Sequence, residues 1–255
     1  MTDQRLLIAA LLTSSIAFAQ SNKLQTIDAP TVLPIIFTGS VSADHAKTGT
    51  PVEAKTTQRV ELPNGGSIPP GTRVTGHVVS ANGFVYDKTP YAHQKSAVLS
   101  VHFDSIQVSG ESVPLNVTVR AIASPIASWD AQRPQASDMD PLGTLTQIGG
   151  DQLIPSQSEV RNMEGEVVAY NKRGGVYAHL IAKNDCDSSN VEVSVGIYSP
   201  SACGAYGFGD VTVTERGSVE SPSTLTFVSS HGSPKLWKHT TALLEILPRQ
   251  TSVGR

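Results

Sequence analysis

The sequence predicts an all-β fold, a barrel or sandwich of about ten short, mainly antiparallel strands with one long irregular insertion. Most apolar runs alternate with polar residues at the period of two that strands have, as in 191–197. The 21 Gly and 16 Pro residues gather in turn-like clusters between these runs. Helical periodicity is short and weak, so the runs follow one another as strands do in a sandwich or barrel.

The individual strands follow from this alternation. In 97–108 the apolar positions change phase by one residue at Asp104 and Ser105, which predicts a β-bulge. A hairpin turn then leads into 112–122, where Arg120 alternates with apolar neighbours and is expected to face outward. The full set of predicted strands is 35–41, 52–62, 73–80, 97–108, 112–122, 166–170, 176–182, 191–197, 210–215, 223–229 and 241–247.

Strand alternation stops between 125 and 165, where Pro, Ser, Asp and Gln accumulate. An irregular stretch of this length is unusual inside a compact domain and is typical of a linker or a functional loop. Two arrangements stay open: one β domain over 33–248, or two β modules at 33–124 and 166–248. The flanking segments are predicted to be a polar lead-in at 20–32 and a tail at 249–255.

Residues 1–19 have the pattern of a secretory signal peptide. Arg5 precedes an apolar run, and the small residues Ala17 and Ala19 predict cleavage between Ala19 and Gln20. This run is shorter than the about 20 residues that a membrane-spanning helix needs, and no later segment approaches that length. We therefore expect an exported mature chain, periplasmic or secreted, without a transmembrane segment.

Two cysteines, Cys186 and Cys203, are present in the whole chain. In an oxidising compartment such a pair most simply forms one disulfide, worth roughly 3 kcal/mol in the chain-entropy model. Metal ligation or a catalytic thiol is the alternative, but neither Cys-x-x-Cys nor a neighbouring His accompanies them.

Composition excludes nucleic-acid binding as a function class. Lys and Arg supply 19 residues and Asp and Glu 22, for a net charge of −3, so no large basic face is expected. A hydrophobic content of 39% argues against wholesale disorder.

Signatures of catalysis and cofactor binding are missing from the sequence. The nucleophile elbow, the His-Glu-x-x-His zinc motif and glycine-rich phosphate loops do not occur. His77, His102 and His179 lie in strand patterns, where a hydrogen-bonded structural histidine is expected. We predict no catalytic residue, metal or cofactor, although a site assembled only in space stays open.

The aromatic residues suggest a different kind of site. Tyr198, Tyr206 and Phe208 bracket the Gly-rich segment after Cys203, and Trp129 lies in the irregular segment. These four rings are candidates for stacking on sugar rings, whereas packing of the three against the disulfide is the alternative. Trp237, near the last strand, is a further candidate for an exposed anchor.

The segment 52–122 resembles a known family. It contains IPPGTRVTG at 68–76, then LSVHFDSI at 99–106 and a hairpin into VPL at 113–115. This order resembles the periplasmic β-barrel of TrbI/VirB10-like secretion proteins, and the resemblance implies a barrel in the periplasm. The segment 196–208 is similar to exported proteins of unassigned function from environmental Gram-negative bacteria, which implies a compartment.

Together these features predict an exported, non-catalytic cell-envelope protein that acts as a structural or protein-interaction β module. The expected partners are envelope proteins or polysaccharide, and nucleic acid is not expected. The alternatives are a carbohydrate-binding module and a secreted hydrolase whose site is assembled only in space.

Overall fold

A computed structural model of the protein describes residues 26–90, 93–133, 145–150, 152–153, 158–162, 164–172 and 174–248. The predicted all-β fold is confirmed. No helix in these ranges is long and apolar enough to cross a membrane. The predicted signal peptide, the cleavage site at Ala19 and Gln20, and the tail at 249–255 lie outside the described residues.

The strands and the helix are numbered in chain order. They are β1 (Val32–Phe37), β2 (Val41–Ser42), β3 (Pro51–Thr56), β4 (Val60–Glu61), β5 (Ser67–Ile68), β6 (Arg73–Asn82), β7 (Ala97–Val108), β8 (Glu111–Pro114), β9 (Val117–Ala123), α1 (Pro125–Gln132), β10 (Leu145–Thr146), β11 (Gln152–Leu153), β12 (Glu159–Arg161), β13 (Val167–Lys172), β14 (Gly175–His179), β15 (Glu192–Ser194), β16 (Gly204–Tyr206), β17 (Thr212–Glu215), β18 (Thr224–Ser229), β19 (Lys235–Leu236) and β20 (Thr241–Ile246).

Ten strands form the main sheet, in the order β16-β9-β20-β1-β3-β6-β7-β18-β17, with β8 paired to β7. All of these pairs are antiparallel except β16 with β9, which is parallel. The chain after β17 returns to β9, where the Val119 amide donates to the Arg216 carbonyl at 2.6 Å and the Ser223 amide to Val117 at 2.7 Å. These bonds nearly close the sheet into a barrel.

The barrel interior is filled by alternate side chains of its strands, among them Phe37 and Phe103, whose ring centres are 6.2 Å apart. The predicted bulge is confirmed: Thr75 pairs with Ser105 and Gly76 with Phe103, which leaves Asp104 unpaired in the ladder. A Cβ at Gly76 would lie 2.3 Å from the His102 carbonyl oxygen, so the close approach of β6 and β7 requires glycine there.

A second, six-stranded sheet lies against the barrel, in the order β10-β11-β12-β13-β14-β15. We call it the small sheet. Its apolar residues share a second core with Val32, Ala121 and Leu243, which are buried residues of the barrel strands β1, β9 and β20. These three barrel strands are therefore buried on both faces, and their burial hardly alternates.

Both ranges considered as separate modules, 33–124 and 166–248, supply strands to the main sheet. The segment 125–165 is less irregular than its composition suggested, because it contains α1 and the strands β10 to β12. Trp129 accordingly lies on a helix, and the expectation of an irregular loop around it is wrong.

Candidate functional site

The helix α1 is held against the barrel by its small residues. Ser124 caps it, since its hydroxyl accepts a hydrogen bond from the Ala127 amide at 3.3 Å, and Pro125 occupies its first turn. Buried Ser128 meets the Thr241 hydroxyl at 2.7 Å on β20. The opposite side of the helix is therefore exposed, and Ile126 and Trp129 are 75% and 57% accessible.

Trp237 reaches the same end of the barrel from β19. Leu236, the last residue of β19, is buried, and Trp237, which follows the strand, is 50% accessible. The Lys235 ammonium lies 3.4 Å from the centre of the Trp237 ring, and the Arg133 guanidinium lies 4.6 Å from that of Trp129.

Two open grooves, of about 700 Å³ and 420 Å³, meet at Pro125 and Ile126. Trp237 lines the first groove and Trp129 the second. We call the set Ile126, Trp129 and Trp237 the tryptophan surface. Large apolar side chains gathered around exposed grooves are typical of interaction sites, and tryptophan is among the residues that contribute most to binding energy.

The other predicted stacking rings are not available in the same way. Tyr198 is 1% accessible, and its hydroxyl pairs with Thr241 at 2.8 Å, so its assignment as a sugar-stacking ring is wrong. Burial raises its pKa, which keeps the hydroxyl neutral. It is buried because the 196–198 turn packs into the second core beneath β20, a contact between segments far apart in the chain.

Tyr206 and Phe208 are half-buried. The Tyr206 hydroxyl accepts a hydrogen bond from the Cys203 amide at 3.0 Å and donates one to the Cys203 carbonyl at 3.2 Å. Both of its hydrogen bonds are therefore made within the turn that contains it. Phe208 packs on Phe227, with ring centres 5.5 Å apart. Phe208 also lines the first groove with Trp237, but Tyr198 is buried, so the structure does not bring the four predicted rings together on one face.

The predicted disulfide between Cys186 and Cys203 is present, with the two Cα atoms 6.0 Å apart. It links the loop between β14 and β15 of the small sheet to the residue that precedes β16 of the barrel. The Arg216 guanidinium lies against both sulfurs, at 3.5 and 3.6 Å.

Arg120 lies beside the disulfide and is 2% accessible, so it is buried although strand alternation predicts an outward-facing side chain. Its side chain points away from the barrel interior that Val119 faces, and the chain around the small sheet covers this outer face of β9. Its guanidinium donates to the carbonyls of Ala202 at 3.2 Å, Ile181 at 2.6 Å and Asp187. Arg120 therefore joins the barrel to the chain around the small sheet.

Glu245 is the nearest acid to Arg120, with Oε2 3.9 Å from Nη1. Burial raises the pKa of Glu245, and the Arg120 charge opposes that rise only in part. Desolvation likewise lowers the pKa of Arg120, opposed by Glu245. Both residues line an open cleft of about 740 Å³ together with Asp187 and Arg216, and the carbonyl contacts of Arg120 give this charge cluster a structural role.

Two of the strand histidines make polar side-chain contacts, His77 with Asp104 and His102 Nδ1 with the Thr224 hydroxyl at 3.5 Å. His77 Nδ1 lies 2.9 and 3.0 Å from the Asp104 carboxylate oxygens, and its ring centre is 5.6 Å from that of His102. Nucleophilic catalysis needs a hydroxyl or thiol at an imidazole that a carboxylate orients. Within the described ranges His77 has the carboxylate, whereas the Thr224 hydroxyl lies at His102. The described residues also contain no group of three or more His, Cys, Asp or Glu side chains placed to hold a metal ion.

Comparison of the chain with family models, with curated proteins and with solved structures finds no match. The tryptophan surface is consequently defined by the geometry of this molecule alone. The sequence marked Trp129 and Trp237 as exposed candidates, whereas Ile126 carried no signal because its exposure depends on how α1 packs.

Proposed function

We propose that the protein is an exported, non-catalytic module of the cell envelope that binds another envelope protein through the tryptophan surface. The observation that carries this proposal is the exposure of both tryptophans of the chain beside Ile126, around two grooves that meet at that residue. Burial of such side chains against a partner would remove a large apolar area from water.

Export is supported by the signal-peptide pattern of 1–19 and is compatible with the disulfide, since disulfides persist in oxidising compartments. The resemblance of 52–122 to TrbI/VirB10-like periplasmic barrels supports a place in the envelope. The barrel strands β3, β6, β7, β8 and β9 fall within or next to that segment.

A protein partner fits this surface better than a polysaccharide. Sugar-binding sites present flat aromatic platforms, and of the four rings predicted for that role only Trp129 is mainly exposed. Ile126 is the most exposed residue of the tryptophan surface, and an aliphatic side chain between two indoles matches the apolar centre of a protein interface.

The test is site-specific crosslinking in intact cells of a host that exports the protein. A photoreactive benzoylphenylalanine replaces Ile126 in one variant and Tyr170, an exposed residue of the small sheet, in the control. We expect a discrete crosslinked protein from position 126 that is absent from position 170. Trp129→Ala and Trp237→Ala, added singly to the Ile126 variant, should each weaken the crosslink, whereas Tyr170→Ala should not.

Two outcomes would overturn the proposal. One is a crosslinking pattern that is equal at positions 126 and 170 or unaffected by either tryptophan substitution. The other is retention of the purified protein on envelope polysaccharide that disappears in Trp129→Ala but persists in Tyr170→Ala, which would favour the carbohydrate-binding alternative.

A further inference from the structure

The disulfide between Cys186 and Cys203 lies at the wall of the open cleft of about 740 Å³ and not in either apolar core. Both cysteines are half-buried, and Cys186 lines the cleft. Disulfides that are exposed to solvent are typically the labile or regulatory ones. The cleft therefore gives a thiol in solution a route to Cys186.

Arg216 places a positive charge beside both sulfur atoms. Its Nη1 lies 3.5 Å from Sγ of Cys186 and 3.6 Å from Sγ of Cys203. The same nitrogen donates a hydrogen bond to the Arg120 carbonyl at 3.4 Å. Among the residues that the structure describes, no carboxylate forms an ion pair with Arg216. The guanidinium thus faces two neutral sulfurs and a carbonyl as long as the cysteines are oxidised.

The backbone of Arg216 holds its side chain in this place. Its carbonyl accepts hydrogen bonds from the Val119 amide at 2.6 Å and from the Thr118 hydroxyl at 3.1 Å. A Cβ at Gly217 would lie 2.5 Å from the Val117 carbonyl oxygen, so the chain after Arg216 passes close over β9. The base of the Arg216 side chain is therefore fixed to the barrel next to the disulfide.

Reduction of the disulfide would give Arg216 an anionic partner. A thiolate beside a guanidinium makes a charge-assisted contact, whereas a disulfide sulfur is only a weak acceptor. Because the Arg216 charge interacts more strongly with the reduced form than with the oxidised form, it shifts the equilibrium toward reduction. Stabilisation of the reduced form is what makes a protein disulfide a strong oxidant.

The two cysteines differ in the charges of their neighbours. Cys186 lies between the exposed carboxylates Asp185 and Asp187, whereas neutral residues flank Cys203. Negative charge is therefore better tolerated on Cys203 than on Cys186. Attack on Sγ of Cys186 from the cleft makes Cys203 the leaving group, and the developing charge then lies beside Arg216.

We propose that the Cys186–Cys203 disulfide is a redox-active site that oxidises a dithiol, and that Arg216 stabilises the thiolate produced in this reaction. A thiolate of the donor attacks Sγ of Cys186, the S–S bond breaks, and its electron pair leaves on Sγ of Cys203. The second donor thiol loses its proton to water, attacks the donor sulfur of the mixed disulfide and releases Cys186. The donor loses two electrons and becomes a disulfide, while the two cysteines take up two protons from water and become thiols.

Equilibration of the full mature chain with reduced and oxidised dithiothreitol at pH 7 tests the proposal. Alkylation with a maleimide–polyethylene glycol, followed by a gel shift, measures the reduced fraction. Arg216→Met should shift the equilibrium constant about tenfold toward the disulfide, or about 30 mV, and should slow reduction. Arg216→Lys keeps the charge and should stay closer to the wild type. Arg73→Met, the matched control, removes an arginine from the barrel surface and should change neither quantity.

The direction of the Arg216→Met effect separates this proposal from a purely structural role. If Arg216 only packed the loop against the barrel, its loss would loosen the loop and make the disulfide easier to reduce. An equilibrium constant in Arg216→Met that is unchanged, or shifted toward reduction, would therefore overturn the proposal.

A second measurement needs only the wild type. The rate of reduction should rise in proportion to the dithiothreitol concentration, because the donor attacks the folded protein. A rate that levels off at the rate of global unfolding would overturn the proposal, since the disulfide would then react only in unfolded chains. Neither measurement depends on the tryptophan surface.

Discussion

The barrel and the small sheet are both mainly antiparallel β structure, yet they are stabilised in different ways. The barrel strands reach 12 residues in β7 and enclose large side chains such as Phe103, so long ladders and apolar burial act together. The small sheet has strands of two to six residues and a core rich in alanine. It is tied to the barrel by a few polar contacts and one disulfide.

These ties are concentrated at two places. On one side are Arg120 and the Cys186–Cys203 disulfide. On the other, the Tyr177 and Ser194 hydroxyls donate to the Arg59 carbonyl at 2.8 and 2.9 Å. Loss of one of these contacts should leave the barrel core intact. The small sheet, in contrast, has a core only where it packs against the barrel.

The largest effect should come from the barrel core. Phe103→Ala should lower the free energy of unfolding by about 3–5 kcal/mol, because it opens a cavity beside Phe37. Urea titration combined with hydrogen exchange should show both regions unfolding in one transition. Val79→Ala, at an exposed position of β6, should cost no more than about 0.5 kcal/mol. Persistence of the small sheet after the barrel unfolds would contradict the dependence inferred here.

Removal of the disulfide should cost less and act locally. The double substitution of Cys186 and Cys203 by Ala should destabilise the protein by about 3 kcal/mol, since it frees a loop of 17 residues. Hydrogen exchange should rise most in the loop around Cys186 and in β16. Chemical reduction of the wild type should reproduce the same pattern, and a uniform rise across the barrel would argue against a local link.

Arg120→Met should come next, at about 2–3 kcal/mol, because it removes charge-assisted bonds to several carbonyls. Exchange protection should fall in 176–194 more than in β6 and β7. Arg73→Met is the matched control: Arg73 pairs with Glu53 on the barrel surface, where such pairs contribute about 1 kcal/mol or less. Equal effects of the two substitutions would show that burial of Arg120 contributes nothing.

The smallest effect concerns pH. Burial raises the pKa of Glu245 in the folded protein above its unfolded value of 4.5. Its contribution to stability is therefore fully present below pH 4.5 and is lost as pH rises through the folded pKa. Glu245→Gln resembles the protonated form. Its free energy of unfolding should therefore increase relative to that of the wild type as pH rises through the folded pKa. Thermal unfolding across pH 4 to 8 measures this, and Glu220→Gln, an exposed position of the same cleft, should follow the wild-type curve.

Sequence patterns were sufficient for several local features. The phase change at Asp104 predicted the bulge, and the cysteine count predicted the disulfide. The bulge follows from the residue pattern within one strand, and the disulfide follows from a chemistry that only cysteine has. The helix α1 was missed although Ser124-Pro125 is a recognised helix start, because the eight residues that follow have little amphipathic pattern to support it.

The alternation of side chains by itself determined that the chain is a β protein and where most barrel strands lie, because the strand period is a property of each segment. Only the tertiary structure decided that β1, β9 and β20 are covered on both faces and that Arg120 and Tyr198 lie inside. It also decided that Trp129 and Trp237 share one end of the barrel. The physical reason is that the outer face of these barrel strands is buried by segments far away in the sequence. The alternation of residues within one strand carries no information about those segments.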